Sequence, residues 1–222
     1  MSDARTAILG RLRAAEGKTP PPAEHFEVVA PRGWSGEEKI ARLRRLMESV
    51  HTEFLDARGG DWTALLQDWL AQQGLAGLIY PPDTPLGRRL AGQWSGATPL
   101  IPYDRSLAEW KEEFFAQEAA GLTGTQGGIA ETGTLILWTD ETQPRTLSLV
   151  PPVHVALLDV NMLYDTLWQA MREQGWTNAM PTNLLLVSGP SKTADIEQTL
   201  AYGVHGPKRL LVVLVEGDPA FS

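Results

Sequence analysis

The chain has 222 residues, 43% of them hydrophobic and 21% charged, and carries a net charge of −8. That length supports one sizeable core with an added helical layer, and with no basic tract a nucleic-acid partner is not expected. There is no cysteine, which excludes disulfides and thiolate-held zinc or iron–sulfur clusters in this chain; the absence of an apolar run near ~18 residues, or of a signal-peptide core, points to a cytoplasmic protein with no membrane span.

Asp3 to Ala15 reads as a short helix, stopped by Thr19-Pro-Pro-Pro22, because proline removes backbone donors and restricts the residue before it. Residues 18–33 read as an extended linker, so 1–34 is expected to be a helix plus linker and 35–222 a single domain. Ser35-Gly-Glu-Glu38 fits a capping box. Ile40, Leu43, Met47, Val50 and Phe54 follow at helical spacing, predicting a helix that runs to Gly59-Gly60. Asp61 can cap the next helix, through Trp62, Leu65, Leu66 and Trp69, which Gly74 stops. Leu75–Tyr80 reads as a strand, Leu86–Leu90 as a short helix, Thr98–Ile101 as a strand and Leu107–Gln117 as a helix.

Strand-like runs then become dense: Thr134–Trp138, Thr146–Val150, Val153–Leu158, Asn183–Val187 and Arg209–Val215. Helices are expected at Met162–Gln174 and Ala194–Tyr202, and Asp140–Arg145 reads as a hairpin-like turn. Apolar runs alternating with helices predict an α/β fold, with a mixed, mainly parallel sheet covered on both faces.

Two glycine-rich polar segments stand out. Gly121 to Gly133 cannot hold a regular helix, and its glycines allow close approach of backbone to another group. Thr123, Gly124, Gly127, Gly128, Thr132 and Gly133 are candidate ligand-binding residues. Glu131, the only charged side chain there, is the candidate general base, nucleophile or hydroxyl acceptor. The alternative is a structural turn, with Glu131 held by backbone amides or a neighbouring arginine. The spacing does not fit the G-x-G-x-x-G dinucleotide fingerprint.

Ser188-Gly-Pro-Ser-Lys-Thr193 follows a strand and precedes the helix expected from Ala194. Free N–H groups at such a helix start, with Lys192, would favour a phosphate or carboxylate. Ser188, Gly189, Ser191, Lys192 and Thr193 are therefore ligand-binding candidates, although Thr193 could equally be an ordinary cap, with Asp195 and Glu197 in the first turn. The segment is not a Walker A loop. His205, in the turn before the last strand, is a further candidate; His154 reads as a satisfied, half-buried histidine. No metal-ligand spacing of histidines occurs, so no metal site is expected. Arg42, Arg44 and Arg45 form a solvated helix face or a dock for an acidic partner.

Gly121-Leu-Thr-Gly, Ala130-Glu-Thr-Gly-Thr-Leu, Leu149-Val-Pro-Pro-Val-His154, Ser188-Gly-Pro-Ser-Lys-Thr-Ala-Asp-Ile-Glu197 and Gly203-Val-His-Gly-Pro207, in that order, resemble the lactate-utilisation (LUD) domain family, and within it the C-type group. The resemblance implies a three-layer α/β/α fold similar to the NagB/RpiA/CoA-transferase-like group. It also implies a part in bacterial oxidation of L-lactate to pyruvate, beside partner subunits that carry iron–sulfur clusters, with no cofactor in this chain. The residues alone leave two further readings open. One is a stand-alone enzyme resembling CoA transferases, isomerases or folate cyclo-ligases, with Glu131 as base or nucleophile and Lys192 on an anionic substrate. The other is a module that senses a carboxylate or phosphate. In each, the two glycine-rich segments are expected to share one pocket at a rim of the sheet.

Overall fold

The computed structural model describes residues 2–15, 30–178, 180–194, 200–202 and 206–218. The chain divides into two compact units, 1–30 and 31–222. The first contains α1 (Ser2–Ala15), with Arg13 in its last turn, where a cation suits the helix dipole. Most of the linker, His205 and most of the helix expected from Ala194 lie outside the described residues.

The second unit begins at α2 (Gly36–Glu48). Ser35 Oγ accepts from Glu38 N, and Glu38 Oε2 accepts from Ser35 N at 2.7 Å. The Ser35 backbone N–H, with the Ser35 hydroxyl second to it, holds the Glu38 carboxyl below its usual pKa. Ile40, Leu43 and Met47 face inward. The helix stops well before Gly59: the chain turns at His51, whose φ is +70°, and Thr52 N bonds back to Met47 O. Phe54 instead lies in β1 (Glu53–Asp56); its four-residue spacing from Val50 imitates a helical face across the turn. Asp61 caps α3 (Trp62–Ala71) by accepting from Thr63 N.

Then come β2 (Leu78–Tyr80), α4 (Pro85–Gln93), β3 (Leu100–Pro102), α5 (Leu107–Ala116), β4 (Ala120–Gly124), β5 (Gly128–Ile129) and β6 (Thr134–Thr139). The chain continues through α6 (Thr146–Leu149), β7 (Val153–Asp159), β8 (Leu163–Tyr164), α7 (Leu167–Glu173) and β9 (Asn183–Val187), then β10 (Lys192–Ala194), β11 (Leu200–Tyr202) and β12 (Arg209–Val215).

The main sheet has six strands in the order β1-β12-β7-β4-β2-β3, every pair parallel. One face carries Leu122, Val155, Leu157, Leu211 and Val213 against Trp62, Leu66 and Leu70 of α3 and Leu86 and Leu90 of α4. The other carries Ala156, Leu158, Leu210, Val212 and Leu214 against α2, while Ile79 meets Trp110 and Phe114 of α5 and Leu147 of α6. Both faces are covered, as a parallel sheet requires; each fully buried leucine contributes about 1.5–3 kcal/mol. Antiparallel pairing lies elsewhere: β5–β6 and β6–β9 in a four-stranded sheet ordered β8-β5-β6-β9, whose β5–β8 pair is parallel, and the β10–β11 pair. The four-stranded sheet packs Ile129, Ile136 and Tyr164 against Ala170 and Trp176.

Three expected elements are corrected. Ala120–Gly124 is a buried strand of the main sheet rather than part of a loop. Thr146–Val150 is a single helical turn rather than a strand: Leu147 N and Ser148 N bond to Pro144 O and Arg145 O, and Leu147 drops onto the sheet. Gly121 makes this approach possible, since a Cβ there would lie 2.2 Å from the Leu147 carbonyl oxygen. The helix expected over Ala194–Tyr202 has strands at both described ends, β10 and β11, paired antiparallel. Its supposed start therefore offers no helix N-terminus, and the anion argument built on that feature fails.

Candidate functional site

β4 and β7 run side by side with Gly121 opposite His154 and Thr123 opposite Ala156. Parallel register puts Thr123 and His154 on one face, and Thr123 Oγ1 lies 2.8 Å from His154 Nε2. His154 is 1% exposed, so the expectation of a half-buried ring understates its burial. Burial alone pushes its pKa down to about 3, because removing the imidazolium from water penalises the charged form. The ring is neutral at any physiological pH.

His154 lines a cavity of about 230 Å³ at the amino ends of β7 and β12. Ser148 and Leu149 of α6 form one wall, Leu186 to Gly189 and Ser191 another, and Gly206, Pro207 and Leu210 close it. Ser191 N donates to Pro207 O at 2.8 Å, tying the two loops together. Ser188 Oγ lies 2.9 Å from Thr134 Oγ1, and Thr134 Oγ1 lies 2.8 Å from Thr132 Oγ1. A chain of hydroxyls thus links the two glycine-rich segments, but no residue of 121–133 lines this cavity, so the pocket expected to be enclosed by both is not seen here.

Not every candidate joins them. Gly133 packs against Leu46, and Gly128 against Leu163 and Leu43. Gly127, at φ +122°, passes so close to β8's approach that a Cβ would lie 2.2 Å from Met162 O; only glycine serves there. Lys192 is exposed, directly after Ser191, outside the cavity lining. Thr193 lies in β10. Glu131 is held by Arg32, whose Nη2 and Nε donate at 2.7 and 3.1 Å to Oε1. Its backbone N–H bonds Asp165 O at 3.0 Å. That arrangement is the structural turn described above as the alternative for Glu131.

Gly124 faces another cavity, of about 280 Å³, at the carboxyl ends of β2 and β4, together with Thr84, Thr125, Gln126, Trp138, Asp140, Thr142 and Gln143. Gly124, Thr125 and Gln126 belong to the glycine-rich segment that the sequence marks as polar; the rest of this group was missed. A further signal was Asp140-Glu-Thr142-Gln143, whose Asp-first spacing is that of a self-bonded turn. Among the described residues no cluster of three or more His, Asp or Glu could hold a metal ion, and no helix is long and apolar enough to cross a membrane.

The LUD domain profile matches residues 40–215. The chain belongs to the LUD domain family. An uncharacterised protein of Neisseria meningitidis serogroup B is 38% identical, over 97% of this chain and 94% of its own length. Lactate utilization protein C of Geobacillus thermodenitrificans and that of Bacillus subtilis are each 27% identical, over 93% of this chain and 91% of their own. A DUF162 family protein from Deinococcus radiodurans, known from its crystal structure, is similar in fold, with TM-score 0.58 and 22% identity over 82% of this chain and 99% of that one. With the family in hand, the placement of its sequence stretches matters. Leu149 and His154, Ser188 to Ser191, and Gly206 with Pro207 line the amino-end cavity. The remaining two stretches touch it through Thr134 on Ser188 and Thr123 on His154.

Proposed function

We propose that this LUD protein works in bacterial L-lactate utilisation as the C-type subunit, with partner proteins that carry iron–sulfur clusters and accept the electrons as L-lactate becomes pyruvate. The observation that supports the reading is that three of the five family-bearing stretches line one cavity and the other two hydrogen-bond to residues that line it, in a chain related to lactate utilization protein C over nearly its whole length. Without cysteine the chain supplies no thiolate ligand, so holding the clusters falls to the partners.

The cavity suits a small carboxylate. Leu149, Leu186 and Leu210 offer an apolar wall for a methyl group, and the Ser188–Ser191 loop offers hydroxyls and backbone. Exposed Lys192 and Lys208 follow Ser191 and Pro207 in the chain and supply positive charge near the mouth. His154 contributes a neutral, fixed ring. With a pKa pushed down to about 3 by burial it is too weak a base to take a proton efficiently near neutrality, which supports a binding role for this ring. The Glu131-based enzyme reading draws no support from a carboxylate already paired with Arg32.

The test is lactate-dependent dye reduction with the chain alone, with its genomic neighbours in the lactate-utilisation operon, and with the neighbours alone. Activity is expected only when all are mixed. Growth on L-lactate that survives deletion of this gene would end the assignment, as would turnover by the isolated chain that disappears in Glu131→Gln.

A further inference from the structure

The cavity at the carboxyl ends of β2 and β4 belongs to no part of that reading, and its position follows from topology. After β2 the chain crosses through α4 to β3 on one side; after β4 it leaves through the second sheet and returns as β7 on the other. Neighbouring strands whose connections diverge leave a crevice beyond their carboxyl ends, the place where open α/β sheets bind ligands.

The crevice is rigidly built. Asp140 Oδ1 accepts from Thr142 N, Thr142 Oγ1 and Gln143 N, each at 2.8 Å. The turn so formed aims Gln143 at the end of β4, where its Oε1 accepts from Gly124 N at 2.8 Å and its Nε2 donates to Gly124 O at 3.2 Å. Thr125 Oγ1 donates to Leu157 O below it. Asp140 Oδ2 and the Gln126 side-chain amide have no hydrogen-bond partner among the described residues, and both residues line the space. Trp138 supplies a partly exposed indole, steadied edge-on by Trp176 at 5.8 Å.

The lining selects the ligand's charge. It contains no lysine or arginine and one carboxylate. The first turn of α4 is no anion cradle: Pro85 has no N–H, and the Gly87 N–H is taken by Thr84 Oγ1 at 3.0 Å. A phosphate or carboxylate would meet Asp140 without compensation. We propose that this crevice is a second binding site, for an uncharged polyhydroxylated ring such as a free monosaccharide. The apolar face of the ring lies on Trp138, and hydroxyls donate to Asp140 Oδ2 and pair with the Gln126 amide. A volume of about 280 Å³ admits one such ring.

The experiment uses the full chain and saturation-transfer NMR with D-ribose, D-glucose and ribose 5-phosphate, titrated to obtain dissociation constants. Saturable binding of a neutral sugar is expected, with ribose 5-phosphate weaker. Asp140→Asn can keep the Oδ1 acceptor of the turn and removes the carboxylate charge from the lining, so affinity should fall about tenfold or more with the melting temperature unchanged. Trp138→Leu should lower it as well. Three results overturn the proposal: no saturable binding of either neutral sugar, tighter binding of the phosphorylated one, or binding that both variants leave intact. None of these bears on lactate oxidation, which the operon assay tests separately.

Discussion

The sharpest consequence of the buried His154 is a dependence of stability on pH. In the unfolded chain its imidazole titrates near the ordinary ~6.5; in the folded protein burial pushes that to about 3. Above pH ~6.5 both states are neutral and the group contributes nothing. As pH falls below that, the unfolded state takes up a proton that the folded state refuses, so unfolding becomes easier. The loss grows by up to about 1.4 kcal/mol per pH unit and stops once pH passes the folded value. Between pH 7 and pH 5 it amounts to about 2 kcal/mol, a window that largely precedes carboxylate titration. The assay is urea unfolding followed by tryptophan fluorescence at pH 7, 6 and 5, on the native chain and on His154→Gln. The variant loses the Thr123 partnership and starts less stable, but its stability should change about 2 kcal/mol less over that window. The other histidines are common to both proteins and cancel in the difference. Equal pH dependence in the two proteins would show that the ring is protonated in the fold, and the argument for a neutral His154 would collapse.

Gly121→Ala should cost about 3 kcal/mol or prevent folding, since its Cβ would strike the Leu147 backbone; a melting curve matching the native one would refute the packing of α6 on β4. Asp218→Ala strips an acceptor from the buried Trp62 indole N–H at 2.8 Å and from Arg89 at 2.6 Å, and should cost about 2–3 kcal/mol in chemical denaturation. Glu131→Gln breaks an ion pair about one-third exposed on both sides. It should shift stability by less than about 1 kcal/mol and leave lactate-dependent growth unchanged. Lys192→Ala should weaken L-lactate binding by calorimetry while the melting temperature holds; unchanged affinity would remove that lysine from the site.

Much of the fold was legible because local signals and packing agreed. Ser35 with Glu38, Asp61 and Gly74 mark helix ends by their own chemistry, and the apolar runs at Val153 and Arg209 are too continuous for anything but buried parallel strands. The failures share one cause: tertiary contacts chose among locally similar options. Phe54 has helical spacing from Val50, yet the chain turns at His51. Leu147 and Leu149 alternate like a strand, yet a single turn buries the first and leaves the second 38% exposed. The stretch 121–124 reads as the start of a glycine-rich turn yet is buried strand, because the need for bare backbone under α6 is invisible from sequence. For the candidate site, Ser188, Gly189 and Ser191 of the second segment line the amino-end cavity, while the expected pocket shared with the first glycine-rich stretch is not seen. The role of Thr134 as the link between the two, and the whole carboxyl-end crevice, depend on strand order.

β12 sits between β1 and β7, in the interior of the sheet, although it follows every other described strand in the chain. On the ribosome, β7 and β1 must therefore wait with bare hydrogen-bonding edges until Arg209–Val215 has emerged. A nascent or prematurely terminated product ending before Arg209 would lack the slat that joins its two halves. Such fragments are expected to need chaperone cover and to be cleared by proteolysis rather than persist as partly working protein.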